Sequence, residues 1–178
     1  MVVFDTSTIV LSINPKAWPP TDPSTGKPVE KCKQRVDHLL ETLGKARTPI
    51  LIPTPVLAEF LVKAGPNKQQ FLDIFFLSRN FEVGSFDVRA AIELADLIDP
   101  DLQSLKKLDP TVTKAKVKFD RQIVAIAKSR RADRIYTDDV PLATVARNNG
   151  IATVMTWEIP LPPEPPNYEL PLEPSEET

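Results

Sequence analysis

What the chain has little of narrows its chemistry first. Cys32 is the only cysteine in 178 residues, which excludes an intrachain disulfide and a thiolate zinc cluster. His38 is the only histidine, and it falls mid-helix, far from the acidic motifs, so no histidine general base is expected. The glycines at 26, 44, 65, 84 and 150 are scattered and build no phosphate-cradling loop. A Gly-x-Ser-x-Gly nucleophile elbow is absent as well. No apolar run approaches the roughly 20 residues that cross a bilayer, so no membrane partner is expected. The first strand-like run begins at Val2 and leaves no room for a secretory leader, so the expected location is the cytoplasm.

What is present suits one domain with a real core, since 42% of the residues are hydrophobic. The net charge of −2 argues against bulk electrostatic binding to nucleic acid, but it hides an uneven distribution. Residues 102–134 carry ten bases against three acids, whereas six glutamates and no base follow from Glu158 onward. The basic segment reads either as a solvated face or as a phosphate-tracking surface. Cys32 is expected to be a core thiol and His38 to lie at or near the surface.

Period and punctuation suggest the elements. Val2–Phe4, Ile50–Ile52, Phe81–Val83, Arg134–Tyr136 and Ala152–Met155 read as strands. Between them lie helical stretches over 6–13, 30–43, 54–64, 67–77, 87–98, 117–130 and 141–148. In the helix over 117–130, Phe119, Ile123, Ile126 and Ala127 form one apolar stripe. The proline-rich stretch 14–29 reads as a long loop, with Trp18 expected to pack on the domain rather than stack on a base. Strands alternating with helices argue for an α/β fold with a parallel sheet covered on both faces. The chain divides into a domain over 1–157 and a tail over 158–178, rich in proline and glutamate, disordered or surface-hugging.

Four carboxylates stand at element ends: Asp5, Glu59, Asp120 and Asp139. Helix N-capping is the ordinary explanation of Asp5 and Asp139, and a solvated helix position that of Glu59 and Asp120. If the first and fourth strands are neighbours where strand order reverses, Asp5 and Asp139 reach one crevice. Converging buried carboxylates repel each other, and a divalent ion is the simplest remedy. Hard oxygen ligands select Mg²⁺ or Mn²⁺. Such ions activate water and clamp phosphate oxygens, which makes a phosphodiester the natural substrate.

These pieces resemble a known family. Val2-Val3-Phe4-Asp5-Thr6-Ser7, the run from Ile50 to Glu59, Phe119-Asp120-Arg121-Gln122-Ile123 and Thr137-Asp138-Asp139 are similar, in that order, to the PIN-domain nucleases, particularly VapC-like ribonuclease toxins. The resemblance covers residues 1–156 and implies a three-layer α/β/α domain with about five parallel strands in the order 3-2-1-4-5. It implies that Asp5, Glu59, Asp120 and Asp139 are the catalytic, metal-binding acids, with Asp138 as a competitor for the fourth place. It also implies substrate contacts from Thr6, Ser7, Thr137 and Arg121. The activity implied is RNA hydrolysis with Mg²⁺ or Mn²⁺, with an antitoxin partner and a homodimer. One rival is a catalytically inactive PIN-fold module that binds RNA or protein. Another, an aspartyl-phosphate enzyme using Asp5, would want Asp-x-Asp, and Ser7 stands at that place.

Overall fold

The computed structural model describes residues 1–98, 100 and 102–163. In chain order the elements are β1 (Val2–Phe4), α1 (Thr6–Ile13), β2 (Thr21–Asp22), β3 (Lys27–Pro28), α2 (Cys32–Lys45), β4 (Ile50–Pro53), α3 (Thr54–Ala64), α4 (Lys68–Leu77), β5 (Phe81–Gly84), α5 (Val88–Ala95), α6 (Leu102–Leu108), α7 (Lys114–Ser129), β6 (Arg134–Tyr136), α8 (Val140–Asn148) and β7 (Ala152–Val154).

Five strands pair in parallel in the order β5-β4-β1-β6-β7, which is the 3-2-1-4-5 order that the family resemblance implies. The strands fit this role because Val2–Phe4 and Ile50–Pro53 are buried throughout, as a sheet covered on both faces demands. The order grows outward from β1 in both directions. Right-handed crossovers therefore send α1–α4 to one face of the sheet and α5–α8 to the other. The switch point falls between β1 and β6, where Val2 pairs with both Ile50 and Arg134. The core runs from Val2 to Ile159 and includes Leu51, Val56, Ile126, Ile135 and Leu142. Gly84 ends β5 where α7 presses closest. A Cβ there would meet Leu51 Cδ1 at 2.8 Å and Ile126 Cγ2 at 3.0 Å, so the position has no room for a side chain without a shift.

Several expectations need correction. The stretch 14–29 is not loop throughout, because β2 and β3 form a small antiparallel hairpin within it. Trp18 does not pack on the domain; it is 91% exposed. Gly44 lies inside α2 rather than ending it, and the left-handed turn comes at Arg47 (φ 51°). Helix α7 starts at Lys114, because the Thr113 hydroxyl caps it by accepting from Lys116 N at 3.1 Å. The missed first turn is polar, so hydrophobic period could not reveal it. Phe119 leaves the buried stripe of Ile123, Ile126 and Ala127 and is 55% exposed. At the start of the expected tail, Ile159 is buried and its carbonyl accepts from Arg35. The rest of the expected tail, residues 164–178, lies outside the described residues. Among those described, no helix is long and apolar enough to cross a membrane. Cys32 is a buried free thiol, as expected.

Candidate active site

A crevice of about 800 Å³ opens at the carboxyl end of the sheet, between one helix from each face. On α3, Pro55, Ala58, Glu59 and Val62 recur at helical spacing and line one wall. On α7, Lys116, Phe119, Asp120 and Ile123 do the same for the other. Asp5, Thr6 and Ser7 form the floor where β1 ends, and Asp138, Asp139 and Leu142 close the third side. All four expected acids thus line one cavity, and Asp138 lines it with them.

Each acid is held differently. Asp5 caps α1, accepting from Thr6 N at 2.6 Å, and its other oxygen accepts from the hydroxyls of Thr137 (2.8 Å) and Ser7 (3.3 Å). Asp139 caps α8 by accepting from Leu142 N at 3.1 Å, and its second oxygen meets Lys116 Nζ at 2.7 Å. Capping and lining the crevice are therefore compatible: one carboxylate oxygen serves the helix, and the other is held by hydroxyls in Asp5 and by Lys116 in Asp139. Glu59 is exposed at the mouth, gripped by the Thr6 hydroxyl and by Lys63 Nζ, each at 2.8 Å. Asp120 is buried in the second turn of α7, and its Oδ2 has no hydrogen-bond partner. Asp138 points elsewhere: both of its oxygens accept from Thr156, from N and Oγ1, each at 2.7 Å.

The electrostatics single out two of the five. Burial pushes the Asp5 carboxyl from 3.8 up to about 6, against the Thr137 and Thr6 hydrogen bonds and with help from Asp139 and Glu59. Burial also raises Asp120 from 3.8 to about 7, and the charges of Asp139, Asp5 and Glu59 add to it while Lys116 opposes. Burial raises Asp138, and its bonds to Thr156 counter that only in part. For Glu59 burial acts upward, but the bonds to Lys63 and Thr6 outweigh it and leave the carboxyl below its usual range. Asp5 and Asp120 each feel Asp139 and Glu59, and neither feels Asp138 to a comparable degree. The pair Asp138 and Asp139 is thereby divided: Asp139 faces the other acids, while Asp138 ties β6 to the turn at Thr156.

The three hydroxyls named with the acids, those of Thr6, Ser7 and Thr137, all donate to them. Thr6 holds Glu59, and Thr137 holds Asp5 from a position only 1% exposed. Arg121 is not in the crevice; its guanidinium donates to the Leu94 carbonyl on α5 at 3.2 Å. One residue advances a helix by about 100°, so with Asp120 facing the cavity, Arg121 must face away. Sequence reading missed two cations of the crevice, Lys63, which pairs with Glu59, and Lys116. Lys116 stands one turn before Asp120 on the same face, reaching Asp139 and, at 3.4 Å, Asp109. Its spacing of four residues from Asp120 was the available signal. Burial acts to lower its ammonium, but the bonds to Asp139 and Asp109 hold it above the usual lysine range. Elsewhere the basic segment is spent on other faces: Lys128 pairs with Glu93, and Arg130 with Glu82 and Asp87.

All the facing ligand atoms are carboxylate oxygens, two of the acids carry uncompensated charge, and Asp120 Oδ2 is buried with no partner. These features fit a hard cation. Among the described residues, no three His, Cys, Asp or Glu side chains are drawn together tightly enough to enclose an ion. Lys116 supplies positive charge among them instead.

No family model and no curated protein matches the chain. Solved structures do. VapBC2 from Rickettsia felis, bound to a DNA fragment from its promoter, superposes at a TM-score of 0.53 with 20% identity, covering 87% of this chain and 98% of that one. DNA-bound VapBC from Salmonella typhimurium gives 0.51 and 19%, covering 87% and 97%. VapC20 from Mycobacterium tuberculosis, a sarcin-ricin loop cleaving toxin, gives 0.52 and 14%, covering 86% and 98%. At such identities the likeness is one of fold. The PIN-like fold expected from the sequence is the fold this chain has.

Proposed function

We propose that this chain is a ribonuclease that hydrolyses phosphodiester bonds with Mg²⁺ or Mn²⁺, acting in the cytoplasm as the toxin of a toxin–antitoxin pair. One observation carries the reading. Asp5, Asp120 and Asp139, with Glu59 at the mouth, line one crevice at the switch point of the sheet, and the buried Asp120 Oδ2 has no partner there. The fold shared with VapC20, a sarcin-ricin loop cleaving toxin, supports the same choice. An antitoxin partner and pairing of two copies belong to the same proposal.

In this reading Asp5, Asp120 and Asp139 hold the cation, Glu59 completes the set, and Asp138 keeps its structural bonds to Thr156. The ion supplies Lewis acidity to the phosphate and lowers the pKa of an attacking water. The chain supplies the rest. Thr137 and Thr6 N fix the Asp5 carboxylate, so that it needs no reorganisation when charge arrives. Thr6 and Lys63 hold Glu59 from two sides. The ammonium of Lys116 balances the acids before loading, and afterwards it is in place to meet a phosphate oxygen.

The test is cleavage of total cellular RNA with Mg²⁺, Mn²⁺ or EDTA. Wild type should cut with either ion and stop with EDTA. Asp5→Asn should lose at least about a hundredfold, the upper end of what losing a metal's supporting groups costs. Equal cutting by both proteins would mark a contaminant and end the nuclease reading. RNA binding without cutting by wild type would leave the non-catalytic module.

Lys116 yields a separate expectation. In Lys116→Met the ammonium no longer competes for Asp139, so Mn²⁺ should bind roughly tenfold more tightly. Calorimetric titration reads this directly. Unchanged or weaker binding would show that Lys116 is no competitor.

A further inference from the structure

Thr137, Asp138 and Asp139 follow β6 in succession, and each is fastened to a different part of the molecule. Thr137 extends the pairing with β7 by donating its N–H to the Val154 carbonyl at 3.1 Å. Its hydroxyl donates to Asp5 and accepts from Asp139 N at 3.0 Å. Asp139 caps α8 and meets Lys116. Between them, Asp138 sends its carboxylate to the turn after β7, where one oxygen accepts from Thr156 N and the other from Thr156 Oγ1, each at 2.7 Å. The Asp138 N–H donates to the Ser7 hydroxyl at 3.4 Å, and that hydroxyl donates to Asp5 at 3.3 Å. Thr156 is itself well fixed. It is buried, Glu158 accepts from Met155 N at 2.7 Å, and Arg35 of α2 donates to the Trp157 carbonyl at 3.4 Å. An asparagine offers one acceptor oxygen, so meeting both donors of Thr156 from separate oxygens calls for a carboxylate. A half-buried carboxylate is also the costlier choice, and closing a turn does not require it.

We infer that Asp138 and Thr156 are positioning residues, which together set where Asp139 and Asp5 stand in the crevice. The inference rests on the ribonuclease reading and adds to it two residues that touch neither substrate nor cation. Two routes carry the effect. One is the backbone: a chain held at Asp138 by a two-point bond cannot swing there, and the Asp139 Cα is only about 3.8 Å further on. The other is Ser7, whose hydroxyl joins Asp138 N to the Asp5 carboxylate. Asp139 depends on such support. Its second oxygen is held by the Lys116 ammonium, which sits on a flexible four-carbon stem and cannot fix an angle. Without the Thr156 hydroxyl, one Asp138 oxygen is released and the β6–α8 turn loosens. Misplacing a reacting group by about 1 Å costs up to roughly a hundredfold in rate. A bond that served folding alone would change stability and leave the acids where they are.

Thr156→Val is the test, since it removes the hydroxyl and keeps the shape of the side chain. Calorimetry reads Mn²⁺ binding, RNA cleavage with Mn²⁺ reads kcat and KM, and the melting temperature in EDTA reads stability. Ile50→Val trims the core where β4 begins, at the opposite end of the sheet from the crevice, and controls for stability lost elsewhere. Thr156→Val should bind Mn²⁺ about tenfold more weakly and lose about tenfold in kcat at unchanged KM, the usual effect of removing a group that orients a metal ligand. Thr156→Ser, which keeps the hydroxyl, should restore both. Ile50→Val should melt earlier and leave both as in the parent. If Thr156→Val does not fold, Asp138→Asn, which leaves Thr156 one acceptor oxygen, carries the same expectations. A Thr156→Val protein that melts earlier yet binds Mn²⁺ and cuts as the parent does would overturn the positioning role alone. A loss that Thr156→Ser fails to recover would overturn it too, by assigning the effect to the methyl group. If the parent neither binds Mn²⁺ nor cuts RNA, the ribonuclease reading fails and the positioning role falls with it.

Discussion

Replacing Asp120 by asparagine should make the metal-free protein more stable at about pH 8 while abolishing cation binding and RNA cleavage. The carboxyl of Asp120 is raised from 3.8 to about 7, first by burial and then by the charge of Asp139, with Lys116 opposing. A raised acid binds its proton more tightly in the folded state than in the unfolded one. Between about pH 4 and 7 the folded state therefore holds more protons, and stability falls as pH rises through that window. At about pH 8 the whole cost is present. A shift of about three units corresponds to about 2–4 kcal/mol once water penetration and relaxation are allowed for. Asparagine keeps the shape and carries no charge, so it removes that cost. The melting temperature in EDTA should rise by roughly 5–15 °C at about pH 8 and change little at about pH 4.5. Equal or lower stability at the higher pH would mean that Asp120 is not an uncompensated charge. An acid whose ionised form opposes folding suits the proposed cation-binding role, since a bound cation would relieve that cost.

The second large effect is a pH-dependent response to metal. With Asp5 at about 6 and Asp120 at about 7, a cation must displace protons from both below those values. Mn²⁺ should bind at about pH 8 and lose roughly ten- to a hundredfold in affinity by about pH 5.5, with protons released on binding. At a hundred times Kd the ion should add about 2.7 kcal/mol of stability at about pH 8. The same concentration should add little at about pH 5.5. Calorimetry in two buffers of different ionisation enthalpy counts the protons. Affinity independent of pH, or no binding at all, would remove the carboxylates from the metal site.

The fold was legible where the signals were local and repeated. Short all-apolar runs such as Val2–Phe4 and Ile50–Pro53, each stopped by a capping residue or proline, have few alternatives to buried parallel strands. Helix boundaries were less legible. The polar first turn of α7 shows no hydrophobic period, and Gly44 continues a helix because its own dihedrals stay helical. Within the site, the acids could be read from their places after strands and on helix faces. Their roles could not, since Asp138 and Asp139 are equivalent in sequence and differ only in partners, Thr156 for one and Lys116 for the other.

The sequence by itself therefore determined the strand set and the four acids that come to line one crevice, because these depend on residue type and spacing along one chain. Tertiary structure decided which cations share the cavity, which hydroxyls serve the acids, and that Phe119 is exposed rather than in the core. Those outcomes depend on how α3 and α7, brought from opposite faces of the sheet and 50 residues or more apart in sequence (64 to 114), meet above the end of β1. No local pattern encodes that meeting, because it is set by strand order and by the handedness of the crossovers.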